Sequence, residues 1–399
     1  MISIELQILI EACKITLLNA PDKVFKQLLA SPQLDWQRLK KLVIYHGIRP
    51  ILYTALSKQK EAAIPTDFLG YLRNYLTKQS ILNLKNTHEL ERLLLLFEEE
   101  KIAVLPYKGA VLSKELYLNN QLREWVDIDL YVPKNKAKEA LKLLIKDGYS
   151  FALKGESKDY DLVIDELLAI YGWHEVSLIK KIGTSVYHVD FHWELKETFY
   201  PYELDIETLF QNTRKIVLTK QEVIVPSLAS IFLMTLTHHG GRESWMKLKH
   251  LTDILLFLKK EEGDSQALNS YILLAQRAKL QQTFYLGLFC LQQFLGFSSP
   301  IAPIQPKSFL KAKKHIIQSW EQAKEFWDSA DVQLNHKRLL MKHQDEGFSK
   351  RAYWKEYLKF YSVPNVIEEQ RLWTFKDKYV MLNLSSKVIT YLWQKGFSK

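Results

Sequence analysis

The sequence predicts an α+β fold, a mixed β-sheet with helices against it, framed by N- and C-terminal helical regions. Three observations predict it. Residues 1–100 repeat leucine and isoleucine at three- and four-residue intervals, as in 84-LKNTHELERLLLLFEEE-100, and hold few glycines, which is helical periodicity. From 101 to 225, short β-branched or aromatic runs, 102-IAVLP-106, 128-IDLYV-132 and 186-VYHVDFHW-193, alternate with helical stretches such as 134-KNKAKEALKLLIKDG-148. From 226 to 399 the helical pattern returns, with breaks expected around 297-FSSPIAPIQP-306 and 361-YSVPNV-366. The expected organisation is therefore a helical region (1–100), an α/β core (101–225) and a second helical region (226–399), with no internal repeat.

The first element, 1-MISIELQILIEACKITLLNA-20, is apolar but interrupted by Glu5, Glu11 and Lys14, and no basic leader precedes a clean hydrophobic run. We expect an amphipathic helix and not a signal peptide. No uncharged run reaches the roughly 20 residues that a membrane-spanning helix needs, so the expectation is a cytoplasmic protein without a membrane partner. Across the 399 residues, 47% are hydrophobic and 25% charged, enough apolar material for two or three cores. Cys13 and Cys290 lie far apart without metal-type spacing and read as buried thiols in a reducing compartment.

Net charge is +10, and its placement matters more than its size. Residues 301–399 carry 18 Lys and Arg against 10 Asp and Glu. A basic surface there would attract nucleic acid, a nucleotide or another acidic partner. The competing reading is an ordinary solvated surface, because Lys311, Lys313 and Lys314 are scattered along a helix and form no aromatic-interleaved platform.

The core region holds the stretch with chemistry in it, 123-REWVDIDLYVP-133. On a strand Asp127, Asp129 and Tyr131 point one way and Ile128, Leu130 and Val132 the other. Two carboxylates so close repel each other and raise one another's pKa unless a cation or a proton intervenes. Hard oxygen ligands at this spacing suit Mg²⁺ or Mn²⁺, and a third carboxylate on a neighbouring strand would allow two ions about 4 Å apart, the geometry of in-line nucleotidyl displacement. In 186-VYHVDFHWEL-195, His188, Asp190 and His192 share one face, which makes Asp190 that third carboxylate. Upstream, 104-VLPYKGAVLSKELY-117 reads as a strand ending at Lys108-Gly109 and running into a helix, where glycine permits close backbone approach and a helix N-terminus favours an anion such as phosphate. Asp159 and Asp161 repeat the Asp-x-Asp spacing but lead into a helical pattern, where residues two apart diverge, so we expect a solvated helix start there.

Taken together, Lys108-Gly109, Arg123 with Asp127-Ile128-Asp129, and Val189-Asp190-Phe191-His192-Trp193 resemble the largely uncharacterised bacterial nucleotidyltransferase family of the DNA polymerase beta superfamily. The stretches 34-LDWQRLKKLVIYHGIRPILYTAL-56 and 238-HHGGRESWMKLKHLTDILLFL-258 resemble helical segments of the same family, so the likeness covers residues 30 to 260 well and the rest loosely. It implies a nucleotidyltransferase-type mixed sheet and metal binding by Asp127 and Asp129. It also implies that Asp190 holds the second metal and helps deprotonate an acceptor hydroxyl. Gly109 would approach the triphosphate, with Lys108 and Arg123 as phosphate contacts. One departure stands out: the wider superfamily places Gly-Ser where this chain has Gly109-Ala110, so a serine contact is missing.

Each residue has a plainer reading beside the chemical one. Asp127 and Asp129 could belong to a polar edge strand, Lys108 could be a solvated lysine, and Arg123 could pair with Glu124 or an aspartate as a structural clamp. His192 reads as a hydrogen-bonding neighbour of the metal ligands and His188 as exposed. His238, His239 and His250 with Asp253 invite a zinc reading, set against an i, i+3 polar pair on a helix, while Trp245 and Leu248 read as packing. The expected activity is metal-dependent transfer of an NMP group from an NTP, ATP among them, to an acceptor hydroxyl on a small molecule, a protein or RNA, with pyrophosphate leaving. Two alternatives are a nucleotide-binding regulatory module without turnover and a helical interaction scaffold in which the aspartates are incidental.

Overall fold

The computed structural model describes residues 2–59, 63–117, 120–152, 160–261, 265–297, 307–324, 330–363 and 379–397, together with Trp373 and Phe375. Five helices come first: α1 (Ile4–Leu18), α2 (Lys23–Leu29), α3 (Trp36–His46), α4 (Arg49–Leu56) and the 34-residue α5 (Thr66–Glu99). Their ends follow local chemistry. The Ser3 hydroxyl accepts from the Leu6 amide to start α1, the Asp35 carboxylate accepts from the amides of Gln37 and Arg38 to start α3, and Gly47 ends α3 at φ 63°.

The central part runs β1 (Leu105–Tyr107), α6 (Gly109–Leu116), β2 (Ile128–Tyr131), α7 (Ala137–Lys146), β3 (Ser150–Phe151), α8 (Tyr160–Ala169), β4 (Glu175–Ile182) and β5 (Ser185–His192). The five strands form one sheet in the order β1-β2-β5-β4-β3. Only the β2–β5 pair is parallel. That parallel pair brings the two aspartate strands side by side. A short helix, α9 (Ile206–Gln211), leads to a separate hairpin, β6 (Thr213–Val217) with β7 (Glu222–Pro226).

Helices resume with α10 (Leu228–Leu236), a π-helical turn at Thr237–Arg242, α11 (Leu248–Lys260), α12 (Ser265–Arg277), α13 (Gln281–Cys290), α14 (Lys307–Gln322), α15 (Ala330–Lys342), α16 (Lys350–Ser362) and α17 (Val380–Phe397). The α16 helix ends at Ser362, with Val363 extended before Pro364, as the residue ahead of a proline prefers. Most of the two breaks expected in this region, 298–306 and 364–366, lies outside the described residues.

The composition suggested two or three cores, but the buried apolar residues form one continuous cluster from Leu6 to Tyr353. Its continuity comes from the first and last helical regions packing on each other. The Leu248 amide donates to His46 Nδ1 at 3.1 Å, Lys259 Nζ donates to the Leu17 carbonyl at 2.6 Å, and the Ser3 amide donates to Glu321 Oε1 at 2.7 Å. For the same reason α1 is not a one-sided amphipathic helix. Leu6, Ile8, Leu9, Ile10, Ala12, Cys13 and Ile15 are all buried, and Glu5 is buried with its carboxylate accepting the Asp35 amide. Cys13 and Cys290 are free and fully buried, and burial pushes the Cys13 thiol up to about 12. Trp245 and Leu248 are fully buried. A Cβ on Gly240 or Gly287 would meet the Trp245 ring at 2.6 Å, so both glycines are required by the indole. No helix among the described residues is long and apolar enough to cross a membrane.

Candidate active site

Register does the first part of the assembly. In the parallel β2–β5 pair Asp129 lies opposite Asp190, and Tyr131 lies opposite His192. Residues paired in register share a face of the sheet. The Tyr131 and His192 rings accordingly stack at 4.5 Å, and His192 Nε2 stands 3.3 Å from Asp129 Oδ1. Ile128, Leu130 and Val132 fill the opposite face and are buried. The alternation seen in the sequence is thus real, but the polar face is covered as well, with Asp129 only 2% exposed.

The two opposed carboxylates have different surroundings. Burial would raise the Asp129 carboxyl, but Lys108 Nζ at 3.2 Å and the His192 ring outweigh it and hold the group below the usual carboxylate range. Asp129 Oδ2 is buried with no hydrogen-bond partner. Asp190 is raised to about 6, by burial first and then by the negative charges of Asp129 and Asp127, against a hydrogen bond donated by Ser177 Oγ at 2.6 Å. Asp127 is half-buried at the entrance to β2, and among the described residues no hydrogen bond or ion pair engages its carboxylate. The three aspartates are therefore neighbours whose oxygens do not yet converge. Among the described residues, the three ligand groups lying within 4.8 Å of one another are instead His174, Glu175 and His192.

Lys108 and Gly109 join β1 to α6. Lys108 takes φ 53° and ψ −142°, a conformation that a non-glycine residue adopts only at a cost of about 1–3 kcal/mol, and it aims its ammonium at Asp129. Burial is the largest single influence and would depress that ammonium, but Asp129 together with Tyr107, Asp127 and Glu175 outweighs it and raises its pKa. Gly109 has φ 35°, and a Cβ there would lie 3.1 Å from the Trp125 ring and 3.3 Å from the Asp127 carbonyl oxygen. The glycine lets the start of α6 press directly against the segment that delivers Asp127.

That segment, residues 123–126, is held from several helices at once. The Glu124 carboxylate accepts the Arg49 amide at 2.6 Å and the Tyr75 hydroxyl at 2.9 Å, and its carbonyl accepts from Lys249 Nζ. Gln79 donates to the Trp125 carbonyl, and Asn86 donates to the Val126 carbonyl at 2.9 Å. Arg123 is not turned towards the aspartates of the sheet. It is 3% exposed, and its guanidinium donates to both oxygens of Asp253 on α11 at 3.1–3.2 Å. The clamp reading, with Asp253 as the partner, is the one that the geometry realises; a phosphate would have to displace a fully buried ion pair.

Asp253 also explains the histidines of this region. It accepts from Tyr117 at 2.6 Å and lies 2.8 Å from His239 Nε2, while His239 stacks on His250 at 4.5 Å. Its oxygens are occupied by arginine, tyrosine and histidine, so it serves a buried charge network. Burial lowers His239 to about 4. Of the Asp-x-Asp repeat, Asp159 lies outside the described residues, and Asp161 sits in the first turn of α8, exposed, 2.8 Å from Lys142. His188 is exposed, as expected.

Glu175 and His174 were not singled out from the sequence. Glu175 lies opposite His192 in the antiparallel β4–β5 register, 3.0 Å from His192 Nδ1, and burial of this half-exposed group is outweighed by the His174 and His192 rings, which hold it well below its ordinary range. The signal was present as 174-HEVSLIKKI-182, a run with strand alternation that pairs with the strand already identified.

Comparison with known proteins adds two findings. Residues 32–296 match the protein family described as "Uncharacterised nucleotidyltransferase". Among solved structures, the chain is similar to an antigenic nucleotidyltransferase-like protein from Paracoccidioides brasiliensis, at 12% identity, over 56% of this chain and 94% of that one, with a TM-score of 0.28. No match was found among curated proteins. Since the family match spans well over half of the sequence and contains Lys108, Asp127, Asp129 and Asp190, the chain belongs to the uncharacterised nucleotidyltransferase family.

Proposed function

We propose that the protein transfers an NMP group from a nucleoside triphosphate to an acceptor hydroxyl, with Asp127, Asp129 and Asp190 holding Mg²⁺ or Mn²⁺. The observation that carries this reading is the opposition of Asp129 and Asp190 on adjacent parallel strands, with Asp129 Oδ2 buried and unpartnered. A buried carboxylate oxygen without a donor is costly unless a cation completes it, and three carboxylates form a hard donor set suited to these ions. Bound there, the ions would neutralise charge on the α-phosphate and the departing pyrophosphate.

The protein's own groups divide the remaining work. Asp129 stays ionised at any pH near neutrality because Lys108 and His192 face it. Asp190, which a single hydroxyl from Ser177 engages and which is raised to about 6 in the metal-free protein, is the carboxylate we assign to accept the proton of the attacking hydroxyl. Lys108 places an ammonium next to these carboxylates, where phosphate oxygens would bind with charge-assisted hydrogen bonds. Gly109 brings the amide end of α6 to the same place. The basic last quarter of the chain favours an acidic acceptor such as RNA.

The test incubates the protein with α-labelled ATP, GTP, CTP or UTP, Mg²⁺ or Mn²⁺ and a cell extract, and traces label to RNA, protein and small-molecule fractions. Label transferred by the wild type and lost in Asp190→Asn supports the reading and names the acceptor class. A second reading, nucleotide binding without turnover, is favoured by one observation: Lys108 already acts as the counter-cation of Asp129. Metal-dependent nucleotide binding with no label in any fraction would select it.

A further inference from the structure

We propose a second metal site beside the three aspartates, formed by His174 Nε2, Glu175 Oε2 and His192 Nδ1, which takes one zinc-class divalent cation. It goes beyond the transfer reading and does not depend on it. The three ligand atoms lie within 4.8 Å of one another, with Glu175 Oε2 3.3 Å from His174 Nε2 and 3.0 Å from His192 Nδ1. Tetrahedral ligands about 2.0–2.2 Å from a zinc ion are separated by little more than 3 Å, so the two spacings to Glu175 need little adjustment.

Orientation points the same way. Both imidazole nitrogens approach the Glu175 oxygen without forming a hydrogen bond to it. His174 is 6% exposed, and neither of its ring nitrogens has a hydrogen-bond partner. A buried imidazole whose nitrogens form no hydrogen bond costs free energy, and a shared cation next to the carboxylate would satisfy it. Glu197 Oε2, another buried oxygen without a hydrogen-bond partner, stands 4.0 Å from His174 Nε2. Two imidazoles and a carboxylate form a borderline-soft donor set that prefers Zn²⁺ or Co²⁺ to Mg²⁺.

The remaining nitrogen of His192 gives the site a link to its neighbour. His192 Nε2 lies 3.3 Å from Asp129 Oδ1, so a cation on Nδ1 fixes the tautomer that donates from Nε2 to Asp129. The carboxylate–histidine–metal arrangement then orients Asp129. The plainer competitor is an ion chain in which protonated His192 bridges Glu175 and Asp129 and no cation enters.

The test uses full-length protein stripped with EDTA and carrying Asp127→Asn and Asp190→Asn, so that the three-aspartate set cannot supply the binding. Co²⁺ is titrated in, followed by its visible d–d absorption and by calorimetry, with Zn²⁺ as competitor. The expected result is one equivalent of Co²⁺ in a low-symmetry, strongly absorbing environment, displaced by Zn²⁺ but not by Mg²⁺. Adding His174→Gln, or separately Glu175→Gln, weakens binding at least about tenfold, while His238→Gln leaves it unchanged. Circular dichroism of each variant establishes folding, and the more exposed Glu175 supplies the second variant should His174→Gln misfold. No stoichiometric binding, binding insensitive to both substitutions, or binding lost in His238→Gln would overturn the site.

Discussion

The β2 side and the β5 side of the candidate active site treat their aspartates in opposite ways. Asp129 faces the Lys108 ammonium and the His192 ring and is held ionised; Asp190, directly opposite in register, faces two carboxylates and a serine and is raised to about 6. The difference extends to the scaffold. The segment leading into β2 is pinned by side chains from α4, α5 and α11, whereas the Asp190 carboxylate is held by a single hydroxyl from the neighbouring strand. Under the proposed transfer, this split would give Asp129 the permanent charge and Asp190 the proton traffic.

The largest expected effect comes from removing the permanent charge. Asp129→Asn should lower metal-dependent transfer by about 10³-fold or more, roughly 4 kcal/mol of barrier, measured as initial rates with α-labelled nucleotide. Next is the scaffold. Asp253→Asn leaves Arg123 buried without its counter-charge and should cost about 3–5 kcal/mol in urea unfolding, although Asp253 is remote from β2 in the sequence.

A smaller effect tests the β5 side. Asp190 has a folded-state pKa above its unfolded value, so its ionisation opposes folding: the cost is absent below about pH 4, grows as pH rises through about 6, and is then constant. Metal-free Asp190→Asn should therefore be more stable than the wild type by about 1–2 kcal/mol at pH 7.5, with the gain gone at pH 4. Equal gains at both pH values would contradict the split. Smallest of all is the repeat of the motif on α8. Asp161→Asn should change stability by less than about 0.5 kcal/mol and leave transfer untouched, because its carboxylate is exposed and its ion pair with Lys142 lies at the surface.

What could be read from the sequence was local. Strand alternation put Asp127 and Asp129 on one face of their segment and Asp190 on one face of its own, and helical periodicity placed the framing regions, because both depend on spacing along one segment. The partner of Arg123 could not be read in the same way: Asp253 is 130 residues downstream on α11, and no pattern within either segment specifies the pairing. Lys108 illustrates a related limit, since its positive φ and its contact with Asp129 follow from how β1 meets α6. His174 and Glu175 were missed because they acquire meaning only through the β4–β5 register. The excess of Lys and Arg in residues 301–399 was legible as composition, yet composition does not say whether those side chains form one surface or what would bind it.

The most direct test of the central claim is calorimetric binding of Mn²⁺-nucleotide to the wild type and to Asp127→Asn. Asp127 suits this test because no side-chain partner among the described residues would be orphaned by the change. Nucleotide should bind the wild type only when Mn²⁺ is present and should not bind Asp127→Asn, and the two metal-free proteins should melt at the same temperature. Mn²⁺-dependent binding of equal affinity in both proteins would contradict the claim.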